Sequence, residues 1–289
     1  MTRDAILTFH MTAARRAKIA AGEGIHALIV QAVQKAGWRV NLRDTDDPAG
    51  GDGYHLIYNR AVLEPHCLCL RRCYMNPFWR IETSNYRWDW QVASTDFPGG
   101  ATAEWFLKHW RLRLFGKIPI TSSGHIFMPL QGKLTEQCYF QSQSPMEMIA
   151  TTLAADPSRK IIATLHPRET YSADDLRRLS AFGSQFELTT RPSMEVLASC
   201  DYVVTENSAM ALTGFFAKKP AVLFAEIDFH HIAGSVPHIG VEAAFGTVHR
   251  AHPFASYLHW FFKENAISVM ADDAIAQIQA RFRDHGWPM

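Results

Sequence analysis

Polar residues follow two apolar segments of the chain, at positions where they could bind an anion. Ser208 comes after the strand-forming residues 202–204 and precedes a helical stretch, and His166 comes after the apolar residues 161–165. In parallel α/β sheets, ligands lie outside the carboxyl ends of the strands. A helix N-terminus offers free N–H groups and a dipole that favours negative charge. These residues therefore predict a phosphate pocket formed by His166 and Ser208.

A local structural role is the alternative for each of these residues. Asn207 and Ser208 are good helix N-caps, and capping uses the same N–H groups as phosphate binding. His166 could equally be a strand-end histidine that is hydrogen-bonded locally. Pro167 imposes extended geometry on the residue before it, which favours His166 at the ligand edge of the sheet.

Strands and helices alternate along the chain, which is typical of parallel α/β units. In the first half we predict strands at 5–9, 38–42, 54–58 and 66–70, and helices at 24–36 and 101–115. In the second half we predict strands at 125–130, 161–165, 186–188, 201–205 and 221–224, with helices at 144–155, 173–182, 193–199 and 209–217. The tail from 254 to 282 reads as two helices with a break near 265–268.

The segment 117–124 contains Pro, Ser and Gly together and is typical of a domain linker. We therefore expect an N-terminal domain at 1–120, a second α/β domain at 121–253, and C-terminal helices at 254–289 that pack across both. Two such domains facing across a cleft would place a ligand between them.

Composition narrows the class of protein. The chain has 289 residues, of which 47% are hydrophobic, and a net charge of +1, which argues against an electrostatic nucleic-acid binder. No apolar run reaches membrane-spanning length and the start is not a signal peptide, so we expect a cytoplasmic protein. Five cysteines are an odd number that suits free thiols in a reducing compartment.

Five short motifs occur in the second half in a recognisable order: Met128-Pro129-Leu130-Gln131, Ser144-Pro145, Leu165-His166-Pro167, Glu206-Asn207-Ser208 and Lys219-Pro220-Ala221-Val222. This ordered set resembles the capsule polysaccharide synthesis family, which includes bacterial transferases of Kdo (3-deoxy-manno-octulosonic acid). The His-Pro pair and the later Ser are also similar to the pattern of bacterial sialyltransferases and polysialyltransferases.

The resemblance implies an α/β fold of GT-B type, with two Rossmann-like domains, and a CMP-activated sugar as donor. Carried over, His166 with Pro167 would contact the donor's phosphate or cytidine, and Ser208 with Asn207 would hold the phosphate. Gln131 would lie in the loop after the first strand of the second domain, facing the cleft.

Transfer of a sugar to a hydroxyl needs a base, and the candidate is Glu23, which lies between two glycines. The polysialyltransferases carry a similar acidic-Gly pair. The alternative is that Glu23 only favours the dipole of the helix that follows. Asp44, Asp46 and Asp47 are rival candidates, for which a solvated turn is the alternative. If the enzyme retains configuration, an acidic residue of the first domain would be the nucleophile.

Three further groups of polar residues could either bind a ligand or have only a structural role. Glu206 and Glu226 follow strands and could bind ribose hydroxyls or be solvated loop carboxylates. Cys67 and Cys69 could suggest zinc, but their spacing favours buried thiols. The run of histidines at 230, 231, 238, 249 and 252 is expected in loops near the cleft rather than at a metal.

The sequence thus predicts a metal-independent glycosyltransferase without a cofactor. Its donor would be a nucleotide sugar, with CMP-Kdo as the best candidate, and its acceptor a surface polysaccharide or glycolipid. The aromatic and basic helix at 105–115 could rest on an anionic membrane, although its apolar residues also suit a core. The alternatives are a sugar-nucleotide epimerase of the same architecture and a non-catalytic nucleotide- or sugar-binding partner of a polysaccharide assembly complex.

Overall fold

The computed structural model of the chain describes residues 5–44 and 53–289. Up to residue 95 the elements are β1 Ile6–His10, α1 Ala13–Ala20, α2 Gly24–Lys35, β2 Arg39–Arg43, β3 Tyr54–Tyr58, β4 Cys67–Arg72 and β5 Phe78–Glu82, followed by the 3-10 turns Arg87–Asp89 and Gln91–Ser94.

The middle of the chain alternates regularly between strands and helices. Its elements are α3 Glu104–Phe115, β6 His125–Pro129, α4 Pro145–Ala155, β7 Lys160–Thr164, α5 Ala173–Ser180, β8 Phe186–Leu188, α6 Ser193–Ser199, β9 Tyr202–Thr205, α7 Ala209–Phe216, β10 Ala221–Leu223, β11 Gly234–Ser235, α8 Val236–Ile239, α9 Val241–Gly246 and α10 Phe254–His259. The remaining elements are a π-helical turn Trp260–Glu264, β12 Ile267–Ser268 and α11 Ala274–Asp284.

The chain divides into two compact units. The first comprises the described residues up to Thr95 together with Trp260–Met289, and the second is Asp96–His259. The sequence placed the boundaries at 120 and 253 instead. Residues 96–120 thus group with the second unit, and the end of the chain from Trp260 groups with the first.

The first unit is built on a sheet with strand order β12-β5-β4-β3-β1-β2. Strands β1 to β4 are parallel, β5 pairs antiparallel with β4, and β12 pairs antiparallel with β5. Its core contains Leu7 and Phe9 from β1, Ile29 from α2, and Ile278 and Phe282 from α11, all fully buried. The C-terminal helix therefore completes the core of the unit that the N-terminus begins.

The second unit is built on a parallel sheet with strand order β11-β10-β9-β6-β7-β8. Counted along this unit, the order of its strands is 3-2-1-4-5-6 from β8 to β11, the doubly wound order of dinucleotide-binding folds. The chain leaves β6 first toward β7 and later returns to pair β9 on the other side of β6. Ligands of such sheets bind at this reversal, outside the carboxyl ends of the strands.

Local sequence signals explain where helix α4 of the second unit begins. Ser144 caps α4 and forms a capping box with Glu147, and Pro145 occupies the first helical position.

Helix α3 has one buried and one exposed face. The side chains of Phe106, Leu107 and Trp110 are buried, whereas Trp105 and Leu112 are 63% and 69% exposed. Across the described part of the chain, no helix combines the length and the apolar character that a bilayer crossing requires.

Candidate functional site

The loops after β6 and β9 meet at the carboxyl edge of the second sheet. Gln131 follows β6 and Asn207 follows β9, and the Nε2 of Gln131 donates a hydrogen bond to the Oδ1 of Asn207 at 3.1 Å. Beneath them, the hydroxyl of Thr205 donates to the carbonyl of Pro129 at 3.0 Å and ties the two strand ends together. Two residues that the sequence assigned to one site, 76 positions apart, are therefore in direct contact.

Asn207 also connects this edge to the end of β10. Its Nδ2 donates to the carbonyl of Glu226 at 3.4 Å. The carboxylate of Glu226 in turn contacts the Nε2 of His238 at 3.1 Å, and the rings of His238 and His230 lie 4.4 Å apart. Glu226 is thus partnered with a histidine of the histidine-rich run at the same edge as Asn207.

Ser208 is the N-cap of α7. Its Oγ accepts a hydrogen bond from the N–H of Met210 at 3.3 Å, so the capping role foreseen as the alternative is present. The first N–H groups of a helix have no acceptor within that helix, and an anion can accept from them. The hydroxyl of Ser208 can still donate while its oxygen accepts.

His166 lies two residues beyond the end of the neighbouring strand β7. Its Nδ1 accepts from the N–H of Arg168 at 3.3 Å, and its own backbone N–H donates to the hydroxyl of Tyr171 at 3.0 Å. The local hydrogen bond foreseen as the alternative is therefore formed. Because Nδ1 accepts, a neutral ring carries its proton on Nε2, which makes Nε2 a donor for a ligand. Pro167, which follows, is exposed.

His166 and Ser208 share no hydrogen bond within the described residues, but they follow β7 and β9, the two strands that pair with β6. The joint phosphate pocket predicted for them stays a prediction.

Glu206 lies in the interior of the second unit, directly before Asn207. It is 0% exposed, so the interpretation of a solvated loop carboxylate is wrong for this residue. One carboxylate oxygen accepts a hydrogen bond from the Nε2 of Gln141, and the other has no partner among the described residues. Burial raises the pKa of Glu206 from its ordinary value of 4.5 to about 7. A carboxyl that titrates near neutrality at a ligand edge is characteristic of functional sites.

Glu23, the predicted base, belongs to the first unit. It occupies the N-cap position of α2, is exposed, and makes no capping hydrogen bond with its side chain. Gly22 and Gly24 on either side have φ angles of 72° and 67°, a backbone conformation that favours glycine. Of the rival candidates, Asp44 pairs with Arg16 at 2.9 Å, and Asp46 and Asp47 lie outside the described residues.

The sequence did not identify every residue of the edge. Gln141, which binds Glu206, comes from an irregular segment 65 positions away, and no local pattern marks it. Tyr171, which holds the backbone of His166, is followed by the capping box that begins α5 at Ser172, and this was its only local signal.

The arrangement of the metal-ligating residue types can be compared with what a metal site requires. Within residues 5–44 and 53–289, no group of three or more His, Cys, Asp or Glu side chains is arranged to hold a metal ion. Cys67 and Cys69 are buried thiols, as their spacing favoured, and burial raises the pKa of Cys67 to about 11.

Comparison with known proteins gives the fold. No protein-family model matches the chain, and no curated protein matches it. Two solved structures from Thermosulfurimonas dismutans resemble it along most of its length. A KpsC beta Kdo 2,7 transferase has a TM-score of 0.52 at 12% identity, covering 97% of this chain and 99% of its own. A KpsC beta Kdo 2,4 transferase has a TM-score of 0.51 at 13% identity, covering 88% of each chain.

These likenesses, with one unit built on a mostly parallel sheet and the other on a parallel sheet, confirm the predicted fold class. The chain has a GT-B-like α/β fold with two Rossmann-like domains and C-terminal helices.

Proposed function

We propose that this protein is a glycosyltransferase that moves a sugar from a nucleotide donor to a glycan or glycolipid acceptor. The observation that carries the proposal is the contact between Gln131 and Asn207 at 3.1 Å, at the strand-order reversal of the second sheet. Nucleotide ligands of doubly wound sheets bind at this position. The GT-B-like fold supports the same reaction class, although a fold alone does not determine function.

In this proposal the donor's phosphate lies between His166 and the start of α7. The Nε2–H of His166, the hydroxyl of Ser208 and the N-terminal N–H groups of α7 stabilise the negative charge that develops on the departing nucleotide. His166 and Ser208 are held by the hydrogen bonds described above, and the N–H groups of α7 are held by the helix itself, so little reorganisation is needed when the charge forms. Stabilisation by protein donors would make a metal ion and a cofactor unnecessary for this step.

Glu206 suits the ribose of the donor better than its phosphate. Near neutral pH a substantial fraction of this buried carboxyl is protonated, which reduces repulsion of the donor's anionic group. In its neutral form the carboxyl can donate as well as accept a hydrogen bond. The choice of a CMP-sugar, and of Kdo as the sugar, rests on the resemblance of the five motifs to families that use such donors.

Glu23 remains the candidate general base that activates the acceptor hydroxyl. Its exposed carboxylate is free of a capping hydrogen bond and can accept a proton. With Glu23→Gln we expect at least a 100-fold lower kcat with unchanged CMP affinity. Equal turnover by the two forms would remove Glu23 from the mechanism.

The decisive experiment is a calorimetric titration with CMP, UMP, UDP and GDP, with and without EDTA. We expect selective binding of CMP that EDTA does not alter, and at least tenfold weaker binding by His166→Ala and by Ser208→Ala. The matched controls are His109→Ala, an exposed histidine of α3, and Ser199→Ala, whose hydroxyl lies at the C-terminal end of α6. Equal losses in the controls, or no nucleotide binding at all, would contradict the site.

The same titration separates the alternatives. Preference for UDP, with consumption of a UDP-sugar in the absence of acceptor, would indicate a sugar-nucleotide epimerase. Nucleotide binding without turnover, and the same behaviour with Glu23→Gln, would indicate a non-catalytic partner of a polysaccharide assembly complex.

We also propose that the protein works at the inner face of the cytoplasmic membrane, where it would meet a lipid-linked acceptor. Trp105 and Leu112 are exposed on α3, and the helix also carries Lys108 and Arg111. Aromatic and basic side chains on one helix favour an anionic bilayer surface. Sedimentation with anionic vesicles should be lost in Trp105→Ala, and sedimentation equal to that of the unchanged protein would contradict this.

A further inference from the structure

The first unit contains a cavity of about 480 Å³, a size typical of small-molecule sites. It lies at the carboxyl ends of β3 and β4, where Tyr58 and Arg72 form part of its wall. Residues of α1 and the first turn of α2 complete the wall, together with Trp79 of β5. The cavity therefore occupies the edge of the first sheet at which ligands of parallel sheets bind.

The wall of this cavity is basic. It includes Arg15 and Lys18 from α1 and Arg72 from β4, and none of the described residues that line it is acidic. Within the described part of the chain, none of these three cations has a carboxylate partner, whereas Arg16, beside Arg15, pairs with Asp44 at 2.9 Å. The guanidinium of Arg15 lies over the ring of Tyr58, 3.4 Å from its centroid, which holds this charge at the wall.

His26 contributes a polar atom that lacks a partner. This residue lines the cavity in the first turn of α2, is only 6% exposed, and its Nε2 has no hydrogen-bond partner among the described residues. Burial, followed by the charges of Arg15 and Lys18, lowers the pKa of His26 to about 4. The ring is therefore neutral at physiological pH, and its buried Nε2 is a polar atom that no described group of the protein satisfies.

We propose that this cavity binds an acidic sugar, whose carboxylate or phosphate is held by Arg15 and Lys18 beside His26. The half-buried indole of Trp79 supplies an apolar face against which the C–H groups of a sugar ring can pack. The N-terminus of α2, a helix of 12 residues, adds a dipole that favours the same anion.

The proposal rests on the proposed transferase function insofar as it assigns this sugar to the acceptor. Gly24 of the cavity wall directly follows Glu23, the candidate base, in the chain. The acidic sugar would thus be the acceptor residue on which that base acts, and the acceptor would be an anionic glycan.

The test is ligand-observed NMR and calorimetry on the full chain with five probes: glucuronic acid, Kdo, glucose 1-phosphate, glucose and inorganic phosphate. We expect the acidic sugars to bind, glucose to bind at least tenfold more weakly, and high salt to weaken binding. A comparison of glucuronic acid with glucose 1-phosphate distinguishes a carboxylate from a phosphate as the preferred anion. Glucose binding as tightly as the acids, or inorganic phosphate binding as tightly as the sugars, would overturn the proposal.

Two variants locate the site. Arg15→Gln and Lys18→Gln should each weaken acidic-sugar binding at least tenfold, whereas the matched control Arg16→Gln, on the same helix, should not. All three should bind CMP as the unchanged protein does. If the unchanged protein binds acidic sugars but does not bind CMP, the proposed function is refuted and the proposed ligand of this cavity is retained. Acidic-sugar binding unaffected by both variants would refute the cavity and leave the CMP site standing.

Discussion

At the scale of single residues, Glu206 couples the stability of the fold to pH. Its pKa is about 7 in the folded protein and 4.5 by its ordinary value. Between these values the folded protein holds a proton that the unfolded chain has released, so the free energy of unfolding falls as pH rises. At about 1.4 kcal/mol per pKa unit, the loss across this window is roughly 3 kcal/mol.

Glu206→Gln should remove this dependence, because an amide oxygen can still accept from Gln141 and the amide does not titrate. Urea unfolding at pH 5, 6, 7 and 8 should show the variant gaining about 3 kcal/mol relative to the unchanged protein between the two extremes. Glu136→Gln is the control, since that carboxylate is 64% exposed and pairs with Lys133. Parallel pH profiles for the unchanged protein and Glu206→Gln would contradict a neutral Glu206.

The residues of the candidate site were predictable only where a local pattern marked them. Gln131, His166 and Asn207 each follow an apolar strand, so strand ends placed them at one edge. Gln141 joins the site from an irregular segment, which no periodicity reveals. Glu226 was expected after a strand and His238 near the cleft, but their pairing depends on a contact that no local pattern shows. The sequence also left open whether Glu206 is solvated, because burial depends on segments far along the chain.

At the scale of elements, the regular strands and helices followed from periodicity and capping signals, whereas six short or irregular elements were missed: α1, β5, β11, α8, α9 and β12. Helix α1 has no fully buried residue, and Ile19 packs only partly buried against the core, so its apolar pattern is weak. Strand β5 lies in an aromatic, irregular stretch, and β12 has only two residues. Strands β5 and β12 pair with each other across nearly 190 residues of chain, with Ile267 opposite Trp79. A pairing over that sequence distance has no local signature.

Helix α11 is required for the stability of the first unit. Phe282 is fully buried in its core and stacks on Trp287, with ring centroids 4.7 Å apart. Phe282→Ala should therefore destabilise this unit by about 3–5 kcal/mol, through lost burial and the cavity left behind. Hydrogen exchange should detect this as faster exchange of the amides of β1 and β3 in Phe282→Ala than in the unchanged protein. The control is Arg283→Ala, which changes the neighbouring exposed residue. Equal exchange rates in the two variants would contradict a stabilising role for Phe282.

At the scale of the whole molecule, the first unit is discontinuous in sequence. The linker-like segment 117–124 suggested a simple division near residue 120, but the chain leaves the first unit after Thr95 and returns to it at Trp260. Composition marks flexible connections but not which core a distant helix completes. That choice depends on long-range packing, such as the hydrogen bond from the Nε2 of Gln279 to the carbonyl of Ala32 at 2.8 Å.

The two proposed ligands should mark different units in hydrogen exchange on the full chain. CMP should most strongly protect amides near 129–132, 164–168 and 205–210, since these segments form the carboxyl edge of the second sheet. Glucuronic acid should protect residues 24–26 and 72–79 most strongly, because they line the basic cavity. Arg15→Gln should abolish the second pattern and preserve the first. If both ligands instead gave the same protection map, separate donor and acceptor sites would be wrong, because binding at a single edge would then account for both.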